Sequence, residues 1–540
     1  MTERSLANRR PLTAAAALLF LGVSTLSAQP AEAPVTVRSE PAEAAGVVEL
    51  RVESGAVHLT LDEVVALALE RNLGLRVQRY GREQARLGIQ EAMGIYDLGL
   101  TGDATISSEE NPSASNLEGA AVQKQDREQL TLGLSQLIPT GGTAQFSFSN
   151  SKLETNSQFF TINPSYNSGL DLAFSQPLLR NFGRDVTEFG LRIAALDSDI
   201  AREGFVEQVV ATIANAETAY WNLVAARYRL GVAEESRALA NQLHENNRVR
   251  VDVGTLAPLE LVASEAGIAV RDEEIIRARA AIGDAEDVLR YLISVDDARF
   301  WTMPLVPDTD AETEYLTFDL SQALSTALES RPELAREQLA LRGREIQAAY
   351  YRSQTKPRLD LVARYGFNGV GGDVVVRDNQ GNVVSSLPGG WDDAFEQVID
   401  ADFPGWSVGL QFGMPLQNRS ARARATTAEL ALDQGRVGLE QVRQQVEAEV
   451  RIAARGLETG RQEIESARVS VRLAESNLDA EKKKYENGLS TSFQILQVEE
   501  ELASARLRLV QAVTGYRRAL VSYHRSIGKL LDYASVTVVD

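Results

Sequence analysis

The hydrophobic positions of this chain follow two periods, one helical and one strand-like, and both periods occur in each half. Apolar or small residues recur every three to four positions over 446–478, and a matching run covers 206–223. Spacing of this kind, sustained over several turns, predicts helices that pack side by side as in a coiled coil. A single helix from Asp185 to about Val249 would be on the order of 100 Å long at 1.5 Å per residue.

Between the helical stretches, apolar and polar residues alternate with a period of two. The alternating segments are 130–134, 146–148 and 170–174 in the first half, and 359–367 and 406–414 in the second. Alternation predicts strands with one apolar and one hydrated face. The second-half strands, at about eight to ten residues, have the length of a tilted membrane strand.

The segments between the strands favour a membrane sheet. Residues 109–128 and 368–403 are polar and are predicted as long loops, whereas Pro139–Gly142 is predicted as a tight turn. Long loops on one side and short turns on the other are typical of outer-membrane barrels. The strands of a soluble β-sandwich show the same alternation. We favour the membrane barrel because these strands lie between long helices.

The two halves are copies of one another. Leu316–Asp319 repeats Leu59–Asp62 after 257 residues, and Ile346–Ala349 repeats Ile89–Ala92 after the same interval. We therefore predict a duplicated domain, with a first repeat at 59–315 and a second at 316–540. Within them, strands are predicted at about 98–176 and 358–414, long helices at about 185–290 and 420–527, and a belt segment at the C-terminus.

The first residues read as a targeting segment. Residues 1–28 place three arginines before a short apolar run and a small-residue exit, which predicts a cleaved secretory signal. The apolar run is too short to cross a bilayer, and no later run approaches spanning length, so any hold on a membrane must come from strands. Residues 29–58, rich in Ala, Pro and Glu, are predicted as an exposed lead-in segment.

Composition excludes several classes of function. The chain has no cysteine, three scattered histidines and a net charge of −20. We therefore predict no thiol chemistry, no metal site, no cofactor and no nucleic acid partner. No phosphate loop or nucleophile elbow occurs in a convincing context, so the protein is not expected to be an enzyme.

The strand count predicts association. Each half supplies at least two strands, and a hairpin around Pro139 would bring the total to six. Because a barrel needs at least about eight strands, identical copies must combine. Three copies of four strands would give twelve. Whether the hairpin joins the barrel wall or folds over its rim is left open, since alternation fixes faces and not pairing.

At two kinds of position the residues resemble the TolC-like outer membrane efflux protein family. Ser175–Leu179 with Gly183, and Met414–Leu416, look like the proline-marked passage from barrel strand to long helix. Tyr485–Ser490 and Val251–Leu256 look like the turns between paired helices at the periplasmic tip. The residues that carry the passage are Gln176, Pro177, Leu178, Pro415 and Leu416.

The resemblance implies a fold, a location and partners. It implies a trimer in the cell outer membrane, with a twelve-stranded transmembrane β-barrel continuing into a periplasmic barrel of coiled-coil helices. A periplasmic adaptor and an inner-membrane transporter would be its partners, outer-membrane lipid its surroundings, and 291–315 and 526–540 its belt. The tip turns that would contact the adaptor comprise Val253, Gly254, Thr255, Leu256, Asn487, Gly488 and Leu489, although a plain helix-hairpin turn has the same sequence.

One departure concerns the periplasmic aperture. Gln494 and Gln497 occupy positions where the family's best-known members have aspartates, and Ser490 occupies that of a latch arginine. Tyr485 is retained without its expected charged partner. Glu260 and Glu499 are candidate acids near the entrance, with a solvated helix face as the alternative.

The leading hypothesis is a passive exit duct for efflux or type I secretion, with Tyr485, Ser490, Gln494, Gln497 and Glu260 as aperture candidates. The competing hypothesis is a periplasmic coiled-coil scaffold or adaptor without a channel. The sequence does not indicate the transported substrate.

Overall fold

The structure is a computed structural model that describes residues 37–39, 51–53, 55–112, 121–295, 298–308, 314–378 and 383–538. The predicted signal at 1–28 lies outside these residues. The described chain is mainly helical and carries one large antiparallel sheet and two small sheets. None of its helices combines the length and apolarity needed to cross a membrane.

The helices repeat in the two halves, as a short pair followed by a long pair. They are α1 (Leu61–Arg71), α2 (Leu73–Met93), α3 (Arg184–Thr187), α4 (Phe189–Asp252), α5 (Leu259–Ile293), α6 (Leu320–Ser330), α7 (Pro332–Gln354), α8 (Trp391–Ile399), α9 (Arg419–Glu486), α10 (Ser492–Ser526) and α11 (Leu530–Tyr533). Helices α4 and α9 have 64 and 68 residues, so each is about 100 Å long at 1.5 Å per residue. The remaining helices, α3, α8 and α11, are short and lie outside these pairs.

The long helices pack through the stripe of small and apolar residues that the sequence predicts. On α9, Val446, Val450, Leu457 and Ile464 are buried in one cluster with residues of α6 and α10. Small residues in the stripe allow close contact, because a Cβ at Gly460 would lie 3.3 Å from the ring of Tyr516. The helix pairs α4–α5 and α9–α10 therefore behave as the coiled-coil hairpins expected from the spacing.

The large sheet lies at one end of the helices. Its strands are β4 (Gly99–Pro112), β5 (Val122–Leu137), β6 (Thr143–Thr155), β7 (Ile162–Pro177), β9 (Arg358–Arg377), β10 (Val383–Leu387) and β11 (Pro404–Gly413). The order is β4-β5-β6-β7-β9, with β11 beside the first half of β9 and β10 beside its last residues. All neighbours are antiparallel.

The strands are longer than the alternating segments, and the predicted loops are correspondingly shorter. Strands β4 and β5 pair from Gly99–Ser135 out to Pro112–Val122, which places most of 109–128 in the sheet. Strand β9 continues to Arg377, and α8 lies within the predicted loop 368–403. In β4 and β5 the loop prediction was wrong because polar strand residues that extend beyond an apolar band do not alternate in hydrophobicity.

The small sheets involve the predicted lead-in and belt segments. Strand β1 (Val37–Ser39) pairs with β12 (Val536–Val538), and β3 (Ala56–Leu59) joins β2 (Arg51–Glu53) to β8 (Leu305–Pro307). Parts of the lead-in at 29–58 are thus paired strands and not a bare exposed segment. Three-residue strands carry too little pattern to be recognised in a sequence.

A buried carboxylate lies where these small sheets meet the helices. Glu217 on α4 is 1% exposed, and its Oε2 atom makes no hydrogen bond in the described part of the chain. Burial, assisted by the charge of Asp62, raises the pKa of Glu217 to about 7. Ionisation of this group therefore opposes folding.

We expect Glu217→Gln to stabilise the protein at pH 8 but not at pH 4.5. From pH 4.5 to about 7 the unfolded chain releases this proton while the folded chain retains it, so the penalty grows across that range and then stays constant. Its full size is about 3 kcal/mol. The measurement is the difference in Tm between variant and wild type at both pH values, with Glu245→Gln, an exposed position on the same helix, as control. An equal shift at both pH values would contradict this assignment.

Candidate functional site

The two helix hairpins end in turns of the same geometry. Gly254 and Gly488 have φ values of +75° and +76°, in the left-handed region that favours glycine. In each turn the residue after the glycine donates its backbone N–H five residues back, from Thr255 to the Arg250 carbonyl and from Leu489 to the Lys484 carbonyl, at 2.8 and 2.9 Å. The duplicated motifs therefore form duplicated structures.

A buried polar cluster joins the first hairpin to the second just above these turns. Asn247 on α4 donates to the Ser492 hydroxyl at 2.9 Å, and the Tyr485 hydroxyl donates to Asn247 and lies 3.3 Å from Ser492. Asn247 and Ser492 are fully buried, and Tyr485 is 6% exposed. Buried hydrogen bonds of this kind are costly to break without replacement. We call Asn247, Tyr485 and Ser492 the tip joint.

Arg250 supplies a charged partner for Tyr485. Its guanidinium carbon lies 4.6 Å from the centre of the tyrosine ring, and its Nη1 donates to the Tyr485 carbonyl at 3.4 Å. A cation held over an aromatic face contributes on the order of 1 kcal/mol. The charged partner missing from position 490 is therefore provided by the other half of the chain.

The remaining aperture candidates belong to their own hairpins. Ser490 donates to Glu481 and, at 2.9 Å, to Gln494, and all three lie in the second hairpin. Gln494 completes a capping box with Thr491 at the start of α10, and Gln497 is exposed. The structure thus brings Tyr485 into the tip joint but gives Ser490 and Gln494 local roles in the turn.

Glu260 and Glu499 are at least partly buried, so they do not lie on a fully solvated helix face, which was the alternative. Glu260 lies in the first turn of α5, where its Oε2 is buried and makes no hydrogen bond within the described residues. Glu499 is 5% exposed, and burial raises the pKa of its carboxyl group against the opposing effect of Lys482 and Arg271.

The outer surface of the turns is apolar. Val253 and Leu489 are 68% and 78% exposed, and Phe493 in the first turn of α10 is 67% exposed. Leu256 is half-buried, whereas Gly254, Thr255, Asn487 and Gly488 are exposed. Several large exposed apolar side chains at one end of a protein mark a surface for contact with another molecule.

At the opposite end, Gln176 and Pro177 fix the passage from sheet to helix. Strand β7 ends at Pro177, and the Gln176 side chain accepts from the Thr140 hydroxyl at 2.7 Å and donates to the Thr140 carbonyl at 3.1 Å. Leu178 still donates its backbone N–H to Leu359 of β9 at 2.7 Å. The passage in the first half is therefore tied to the β5–β6 turn and to strand β9.

The second passage is more open. Strand β11 ends at Gly413, Pro415 follows, and Leu416 is 96% exposed. Asn418 then adopts a left-handed conformation at φ 45° and donates to the Thr355 carbonyl at 2.9 Å. Asn181 in the first passage is also left-handed, at φ 63°. Each passage thus contains an asparagine that turns the chain onto its long helix.

Sequence reasoning missed Asn247, Arg250 and Ser492. Asn247 and Ser492 are 245 residues apart and belong to different repeats. From the sequence of its helix alone, Asn247 would be expected to face solvent. Its buried role becomes visible only when one repeat packs on the other. No group of three or more His, Asp or Glu residues in the described ranges is placed to hold a metal ion.

Comparison with known proteins is consistent with this geometry. Residues 323–529 match the family model described as outer membrane efflux protein. No curated protein sequence matches the chain.

Solved structures share the fold over both halves. The Campylobacter jejuni CmeC outer membrane channel is 17% identical, with 87% of this chain and 86% of that chain covered at a TM-score of 0.62. VceC from Vibrio cholerae is 16% identical, with 87% and 96% covered at 0.61. The open state of the Neisseria gonorrhoeae MtrE channel is also 16% identical, with 87% and 89% covered at 0.57.

These matches confirm the predicted fold class and the predicted resemblance to outer membrane efflux proteins. Residues 323–529 thus carry an outer membrane efflux protein domain, and the chain has the fold of outer-membrane channels across both halves.

Proposed function

We propose that three copies of this chain form an exit duct that passively conducts substrates from a periplasmic adaptor and an inner-membrane transporter to the exterior. The observation that carries the proposal is the continuity between an amphipathic sheet and two hairpins about 100 Å long. One face of the sheet is apolar and the other polar, as a wall between lipid and water requires.

The polar face supports a water-filled interior. It carries Asp171 and Arg364, joined by two hydrogen bonds of 2.8 and 2.7 Å, among threonine, serine and glycine residues. A charged pair facing hydrocarbon would be strongly unfavourable, whereas facing water it is readily accommodated. In the proposed assembly the inner-membrane transporter would supply the driving force.

The tip joint supports a closed resting entrance. It ties α4 to the second hairpin at the end of the helices farthest from the sheet, so that the hairpins are held together inside each copy. Opening by separation of the hairpins would require these bonds to break. The apolar turns beside the joint would then present Val253, Leu489 and Phe493 to the adaptor.

We expect the detergent-purified protein to be a trimer that gives discrete conductance steps in a planar lipid bilayer. Molar mass in detergent and single-channel recording test the two parts together. A protein that stays soluble without detergent and never conducts would contradict the exit-duct proposal and favour the coiled-coil scaffold.

We expect Tyr485→Phe to increase the open fraction of the channel. Loss of one buried hydrogen bond of about 1 kcal/mol shifts the closed-to-open equilibrium about fivefold per copy. Single-channel recording of open probability is the measurement. Ser490→Ala is the matched control, because the partners of Ser490 lie in its own hairpin, and an equal effect of both variants would remove the tip joint as the element that holds the entrance closed.

We expect Leu489→Asp to weaken adaptor binding at least tenfold while leaving the trimer and its conductance intact. A charge in the apolar contact would have to be desolvated on binding. The measurement is the affinity of the variant and of the wild type for the purified adaptor, determined by biolayer interferometry. Leu416→Asp, which is even more exposed but lies at the other end of the helices, serves as the control. Unchanged binding by Leu489→Asp would place the contact elsewhere.

A further inference from the structure

The large sheet contains six full columns of strand, two more than the resemblance implies for each copy. The columns are β4, β5, β6, β7, β9 and β11, with 14, 16, 13, 16, 20 and 10 residues. Each is long enough to cross a hydrocarbon layer as a tilted strand, for which about 9–11 residues suffice. Strand β10 extends the last column above β11 along the upper half of β9.

The hairpin β5–β6 belongs to the wall of the sheet and does not fold over its rim. It forms 14 register pairs with β4 and 11 with β7, so no break separates it from its neighbours. Its turn also contacts the passage to the helices, where Gly183 donates to the Thr140 carbonyl at 3.0 Å. A Cβ at Gly141 would lie only 2.3 Å from the Asn181 carbonyl oxygen, so the turn is fitted closely against this passage.

The two faces of the sheet continue through all six columns. One row across the apolar face consists of Leu100, Leu134, Phe146, Leu172, Tyr365 and Trp406. The next row, on the opposite face, consists of Thr101, Gly133, Ser147, Asp171, Gly366 and Gly405. The rows of the hairpin therefore continue those of β7 and β9 on both faces. Helix α8 packs over part of the apolar face, where the rings of Phe395 and Phe148 meet edge to face with their centres 5.8 Å apart.

The two edge strands of the sheet, β4 and β11, can pair with each other between neighbouring copies. Strand β4 leaves the helical end and β11 returns to it, so β4 of one copy is antiparallel to β11 of the next. At the two edges Leu100 and Trp406 are 74% and 76% exposed, on the same apolar face. Six strands are too few to close alone, and unpaired backbone groups at an edge cannot remain in hydrocarbon. A second copy of the chain satisfies both edges.

We propose that three copies close an eighteen-stranded barrel through β4 of one copy and β11 of the next, in place of the twelve strands that the resemblance implies. The proposal rests on the trimer of the proposed function. With strands about 4.8 Å apart and tilted by about 40°, eighteen strands give a barrel about 36 Å wide between backbones, and twelve give about 24 Å. The outer-membrane section would then admit a bulky or folded cargo, and the narrowest point would lie elsewhere along the duct.

Counting strands in an electron cryomicroscopy map of the full-length protein in lipid nanodiscs tests the proposal directly. Eighteen strands at the level of Leu134 and Tyr365 are expected. A trimer with twelve strands would overturn this proposal and leave the duct in place. A protein that forms no membrane trimer would overturn the proposed function together with it.

Cysteine substitution provides a second test in membranes, because the chain has no cysteine of its own. With the hairpin in the wall, Thr131→Cys reacts through the water-filled interior with a hydrophilic maleimide. Leu132→Cys, on the apolar face that lipid and α8 cover, reacts about tenfold or more slowly. Ala173→Cys and Phe174→Cys on β7 give the same comparison for an undisputed wall strand. Equal labelling of Thr131→Cys and Leu132→Cys, with unequal labelling on β7, would place the hairpin outside the wall.

The edge contact itself is tested by disulfide formation between copies. Asp103→Cys on β4 is combined in turn with Ser407→Cys, Gly409→Cys or Gln411→Cys, which share its polar face and sample three registers. One combination is expected to give a covalent trimer on a non-reducing gel, since Cα atoms about 4.4–6.8 Å apart form a disulfide. Ser147→Cys on the interior strand β6, combined with Ser407→Cys, is the control. Cross-linking by the control and by none of the edge pairs would overturn the β4–β11 contact.

Discussion

In the proposed duct, the rest of the structure depends on the requirement that every backbone N–H and C=O group in hydrocarbon be paired within the protein. A sheet meets this requirement only when it has no free edge, and the sheet of a single chain has two, at β4 and β11. The strand directions, the alternation of faces and the even number of columns all follow from this one demand. The helices below need no such closure, because each satisfies its own backbone.

The duplication is retained unequally in the two parts of the molecule. In the helices the halves match closely, with helix pairs α4–α5 and α9–α10 and tip turns of the same conformation. In the sheet the first half supplies four strands and the second supplies two full columns. A hairpin can be added to a sheet without changing the register of its neighbours, whereas an added helix in a side-by-side bundle would displace every packed stripe.

Much of the fold could be predicted from periodicity, and the parts that could not share a physical cause. The stripe around Val450 and the alternation around Phe146 repeat often enough to identify their elements. Strands such as β1 and β12 are too short for a pattern, and the polar ends of β4 and β5 lack alternation because both of their faces meet water.

The candidate site shows the same limit. The glycines of the tip turns were identifiable because a left-handed turn demands a particular residue type. Asn247 was not, because its role is set by the hydroxyl groups of Tyr485 and Ser492, which approach it from the other repeat. Likewise, Gln494 caps α10 because its side-chain oxygen accepts from the backbone N–H of Thr491. Its distance along the chain from Gly488 does not reveal this hydrogen bond.

The tip joint also constrains how this gene can change over time. Its three side chains come from both repeats and share one fully buried set of hydrogen bonds. A substitution at Asn247 removes the hydrogen bonds that this side chain makes with Tyr485 and Ser492, so a compensating change in the other half is expected to accompany it. The two repeats are therefore no longer free to diverge separately, and selection acts on them as a single heritable unit.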